Sequence, residues 1–211
     1  MPTVAVNVGT QMASQLATAN VEGWAVYFDA SGNNPTWVAL SGSGATLDLP
    51  YQQGLKVYFL LQSMAPGVDS VQGEIQTESQ ITPTGTLSSA DILNYRYDSF
   101  EVTFTPNNAD AGNLTDINGF GIPMEVKVVY ADGTSASRGY SIPGGGVATS
   151  DTIWNALVSA GGSGSIQYFT PTSSGGLTGP RMAISPATAI SENISGTNYQ
   201  TSNWNNYITN L

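Results

Sequence analysis

Residues 99–106 read SFEVTFTP, and the parity of this stretch decides the fold class. Phe100, Val102 and Phe104 fall on one side of an extended chain, and Glu101, Thr103 and Thr105 on the other. Alternation with a period of two belongs to a strand with one face on a core. The same logic extends upstream. GLKVYFLLQ (54–62) is dense in β-branched, aromatic and leucine residues and reads as a central strand buried on both faces. In GWAVYFD (23–29), Trp24, Val26 and Phe28 point one way, and Ala25 and Tyr27 the other. SGNNP (31–35) is turn chemistry, and TWVAL (36–40) and ATLDL (45–49) are two short strands parted by SGSG. Downstream, MEVKVVY (124–130) is the next strong strand, residues 122–130 are expected to share a sheet with 99–105, with Glu101 on its more exposed polar face, and ADGTS (131–135) is a turn centred on Asp-Gly. Residues 63–90 read as a long connection or an ill-defined strand pair, and SSADILNYRYD (88–98) as a loop or one helical turn. The fold class is mainly β.

The period changes at 142–162. Ile153, Trp154, Leu157 and Val158 share a helical face, with Ser150 as N-cap, Asp151 in the first turn and Gly161 as the stop, so a helix is expected over 151–160. Trp204, Tyr207, Ile208 and Leu211 predict a second helix. The glycine run 144–146 is the best boundary, dividing a β domain (1–146) from a small mixed α/β subdomain (147–211).

Composition narrows the chemistry. Fifteen acids against five bases give a net charge of −10, with no basic patch to neutralise phosphates, so nucleic acid is excluded as a partner and an anionic membrane surface is disfavoured. No segment is apolar enough to insert into a bilayer. A neutral polysaccharide is compatible with this charge. The chain has no Cys and no His, which removes disulfides, thiolates, Ser-His triads and imidazole-bound zinc. Carboxylates remain as agents of catalysis, and no cofactor is implied. DASGNN (29–34) has oxygen ligands but lacks calcium-loop spacing and reads as a loop, so no metal site is expected. The N-terminus has no basic n-region and is not a signal peptide. Scarce charge with abundant Thr, Ser, Asn and Gly nevertheless suits an extracellular or virion-surface protein.

Several segments, in order, resemble glycoside hydrolase family 64, the β-1,3-glucanases of the thaumatin-like superfamily. They are WAVYFDASGNNPTWVAL, GLKVYFLLQS, NYRYDSFEVTF, INGFGIPMEV, RMAISP (181–186) and NYQTSNWNNY (198–207). The resemblance spans most of residues 20–211 and the earlier part of the family's domain. It implies a thaumatin-like β-sandwich or partial barrel with a small α/β subdomain, directed at β-1,3-glucan. The family's catalytic Glu falls on Glu101. Its Asp lies three residues before the Gly of a G-L-P motif; here that Gly is Gly121, so the matching position is Asn118. Asn cannot act as a general base, and Asp116, two residues earlier, could take its place if the strand register slides. Two versions follow. In the active one Glu101 is the general acid of an inverting hydrolase and Asp116 or another acid holds the water. In the degenerate one the groove only binds glucan, with Asn118, Thr103 and Tyr58 as substrate contacts. Blander readings stand beside these: Glu101 as a solvated strand residue, Asp116 as a turn residue, and Trp24 and Trp37 as core. A rival from another class is a structural or adhesion subunit of a virion, filament or cell surface, forming homo-oligomers through open sheet edges.

Overall fold

Alternating runs predict sheets, and a five-stranded antiparallel sheet organises the chain. The computed structural model describes residues 1–18, 20–64, 66–81, 95–107, 110–114, 119–139, 150–161, 166–169 and 176–185. Its first elements are β1 (Thr3–Val6), α1 (Thr10–Leu16), β2 (Val21–Tyr27), β3 (Thr36–Ala39), β4 (Ala45–Asp48) and β5 (Leu55–Ser63). A short helix α2 (Val71–Glu74) and a 3-10 turn (Glu78–Gln80) follow. Next come β6 (Tyr95–Thr103), β7 (Ala111–Leu114), β8 (Gly119–Phe120), β9 (Glu125–Val129) and β10 (Ser135–Gly139). The last are α3 (Ser150–Gly161), β11 (Ile166–Tyr168) and β12 (Pro180–Ile184). The main sheet runs β3-β2-β5-β6-β7.

β5 lies at its centre, as its unbroken apolar run predicts, and every residue from Val57 to Ser63 is buried. The parities hold. Phe100 and Val102 join Ala25, Val57, Phe59 and Leu61 in one core, which is covered by Leu47 and Leu49 and flanked by α1 and the β9–β10 hairpin. Val26, Phe28, Tyr58, Leu60, Tyr95 and Tyr97 face a second core, covered by Val71 and Ile75 of the α2 segment and by Met182 and Ile184 of β12. A smaller three-stranded sheet, β11-β12-β8, carries α3, and Trp154 inserts between Phe120, Ile166 and Ala183. The chain is thus a mainly β, partly closed sandwich with an α/β element. The glycine run 144–146 and the helix expected around 204–211 lie outside the described residues.

Three expectations change. Tyr95–Asp98 belong to β6 and not to a loop, because Tyr95 and Tyr97 alternate into the second core while Arg96 and Asp98 are buried polar residues. Residues 125–129 do not share a sheet with 99–103: among the described residues β9 pairs only with β10, in a hairpin closed by the Asp132-Gly133 turn. β1 and α1 form without a clear signal in the sequence, and β1 zips against β4 from Thr3–Asp48 to Val6–Ala45.

Candidate functional site

Cross-strand register assembles the site. On the second-core face of the sheet, Ser99 of β6 pairs with Tyr58 of β5, Tyr58 with Val26 of β2, and Val26 with Trp37 of β3. One step toward the end of the sheet, Glu101 stands opposite Lys56 on one side and Asn113 of β7 on the other. Residues of one face recur every two positions, so Glu101, Thr103 and Tyr58 share this face. Glu101 and Thr103 are half-buried, and Tyr58 is buried.

Their surroundings differ in kind. Thr103 Oγ1 accepts from the Gly54 amide at 3.0 Å, closing the turn into β5 at a glycine with φ of 63°. The Tyr58 hydroxyl donates to Glu78 Oε1 at 2.7 Å. Burial, that hydrogen bond and the negative charges of Glu78 and Glu101 push the Tyr58 phenol far above its ordinary value. Tyr58 is therefore protonated and donating at neutral pH, and it sits within the electrostatic reach of two carboxylates. Glu78 is the residue that sequence reasoning missed. It lies in the 3-10 turn, in a stretch read as a connection, and nothing in its local pattern signals that the turn folds back over Tyr58. Asp116 and Asn118 lie outside the described residues, which resume at Gly119. Gly119 lines a cavity of about 40 Å3 with Lys56, Tyr58, Tyr97 and Ser99, room for a water but not for a sugar ring.

The motifs that drew attention in the sequence converge on one joint. Asp98 accepts from the amides of Ser99 (2.8 Å), Gly121 (3.1 Å) and Ile122 (3.1 Å), pinning the GFGIP segment to β6. A Cβ at Gly121 would overlap the Tyr97 carbonyl, so only glycine passes there. Arg181 of the RMAISP segment is buried and donates to the Tyr95 carbonyl at 3.1 Å. β8 pairs with β12 beside it.

The solved structure of a laminaripentaose-producing β-1,3-glucanase in complex with laminaritetraose has a similar fold, with a TM-score of 0.51 and 19% sequence identity. The chain has a glucanase-like fold. The likeness covers 90% of this chain and 54% of the glucanase, so the chain spans about half the length of the protein it matches. No protein-family model matches the chain, and no curated protein does. The joint at Asp98, Gly121 and Arg181 ties two separated segments, GFGIP and RMAISP, onto β6. Among the described residues no cluster of three or more acidic side chains could hold a metal ion, and no helix is long and apolar enough to cross a membrane.

Proposed function

We propose that the chain is a β-1,3-glucan-directed protein of the family 64 type that binds glucan and cleaves it weakly or not at all. The observation that carries this reading is the position of Glu101. It stands at the end of the second-core face of the central sheet of a glucanase-like fold, half-buried, beside Lys56 and one register step from Tyr58. In this reading Glu101 is the acid that protonates the leaving oxygen. Asn118 occupies the position of the base and cannot take a proton from water. Thr103 and Tyr58 shape the wall beside it. Asp116, two residues before Asn118 in the sequence, is one substitute for the base, and Glu78 is another. An extracellular or virion-surface setting belongs to this reading, supported by scarce charge with abundant Thr, Ser, Asn and Gly. A second reading, a structural or adhesion subunit, is favoured by the exposed apolar run Val128, Val129 and Tyr130 and by β7 at the sheet edge.

Product analysis of laminarin tests the catalytic half. The wild-type chain is expected to release little or no sugar. Asn118→Asp should raise the rate on the order of 10²-fold, and adding Glu101→Gln should abolish that gain. Robust wild-type cleavage, lost with Asp116→Asn or Glu78→Gln and indifferent to position 118, would overturn this assignment of the base.

A further inference from the structure

A separate cleft lies away from Glu101. It is a depression of about 640 Å3 at the opposite edge of the sheet, lined by Asn34, Thr36, Trp37, Gln72, Gly73 and Gln76. Three strand spacings, about 14 Å, separate β3 from β6. No charged side chain lines this cleft, in a chain with a net charge of −10. Besides Pro35 and Gly73, its lining is one indole, three carboxamides and a hydroxyl.

That lining is braced through hydrogen bonds to carboxylates that do not themselves line the cleft. Trp37 meets Trp24 edge-on, with ring centroids 6.0 Å apart at 85°. The Trp24 indole donates to Glu22 Oε2 at 3.4 Å, and the Ser70 hydroxyl donates to the same oxygen at 2.9 Å. Ser70 is the N-cap of α2, which carries Gln72 and Gly73. One carboxylate therefore braces both walls, the indole wall through Trp24 and the carboxamide wall through Ser70. The third wall has its own brace. Asp29 accepts from the Ser31 and Asn33 amides and from Asn34 Nδ2 at 2.6 Å, holding Asn34 at a φ of 51°. The Glu78 amide donates to the Gly32 carbonyl at 2.9 Å, tying that loop to the segment after α2. Gln76 is steadied by Nε2 donating to the Gly73 carbonyl at 3.0 Å.

We infer that this cleft is a binding site for a neutral oligosaccharide, with Trp37 as the apolar platform and Asn34, Gln72 and Gln76 as hydroxyl partners. A sugar ring offers C–H faces to an aromatic surface and hydroxyls that both donate and accept, which carboxamides match with one group of each kind. A charged ligand would find no counter-charge here, and a purely apolar one would strip water from the carboxamides without replacing their hydrogen bonds. Preorganised walls lower the ordering cost of binding. The choice of β-1,3-glucan as occupant rests on the proposed function; the sugar chemistry does not.

The test is a titration of the intact 15N-labelled chain with laminarihexaose, cellohexaose and mannohexaose, followed by amide and indole NMR shifts. Saturable shifts of the Trp37 indole N–H and the Gln72 and Gln76 carboxamides are expected with laminarihexaose. Trp37→Ala should weaken that binding on the order of 10-fold. Gly73→Leu should do the same while keeping the fold, since a Cβ there meets nothing within 4 Å. Shifts at Trp37 with another of the hexaoses, and none anywhere with laminarihexaose, would uphold the cleft and sink the glucan reading. Laminarihexaose binding that shifts only residues around Tyr58 and Lys56, unchanged in Gly73→Leu, would overturn the cleft and leave the glucan reading standing. No shift at Trp37 with any of the three sugars would also overturn the cleft.

Discussion

At the scale of single residues, Tyr58 shows how a fold changes what a side chain can do. Its phenol is buried, donates to Glu78 and faces two negative charges, so its ionisation is pushed well above the ordinary value of 10.0. The unfolded chain ionises Tyr58 freely above that value and the folded chain does not. The stabilisation is complete below pH 10 and is lost as pH rises beyond it. Denaturation midpoints measured against pH should therefore fall above about pH 10 in the wild type. Tyr58→Phe should lose about 1 kcal/mol at neutral pH and show a shallower alkaline decline. An equal decline in both proteins would locate the titration elsewhere. The sequence marked Glu101 through the parity of SFEVTFTP and the family resemblance, and Tyr58 only as a candidate substrate contact; the register that puts them on one face is visible only in the sheet. The sequence did not mark Glu78, whose partner lies twenty residues away across a turn with no periodic pattern. Asp98 passed unnoticed for a similar reason: in NYRYD it looks like turn chemistry, and only the approach of Gly121 and Ile122 makes it the anchor of a joint.

At the scale of elements, patterns with a strong period were legible and weak ones were not. The apolar run of β5, the alternation in β2 and the Asp-Gly turn between β9 and β10 each carry their own local signal. So does α3, whose Trp154 is 4% exposed and meets Phe120 with ring centroids 4.8 Å apart. Trp154→Ala should cost roughly 3–5 kcal/mol and loosen the small sheet first, visible as faster hydrogen exchange in β11 and β12. Exchange that rises uniformly in the main sheet as well would contradict a separate local core. β1 and α1 were illegible because neither buries a full face: β1 alternates exposed and half-buried residues, and α1 buries none completely. Strand partners were the other gap. MEVKVVY reads as a strand, but nothing local states that it pairs with its own hairpin arm and leaves Val128 and Val129 exposed.

At the scale of the whole molecule, two sites on one face of the sheet make a coherent account. Glu101 and Tyr58 stand toward the β6 side, the uncharged Trp37 cleft lies at the β3 edge, and a glucanase-like fold surrounds both. A neutral glycan is compatible with the composition of a chain that has no His, no Cys and five basic residues. The rival account, a structural subunit, needs the exposed hairpin and sheet edge to engage other copies in place of sugar. The most direct measurement is a calorimetric titration of laminarihexaose into the purified intact chain, with the oligomeric state checked by size exclusion in the same buffer. Saturable binding by a discrete, non-polymerising species, with the hexaose recovered intact, is the result this account predicts. An absence of any binding heat, from a protein that elutes as a large ordered assembly, would contradict it.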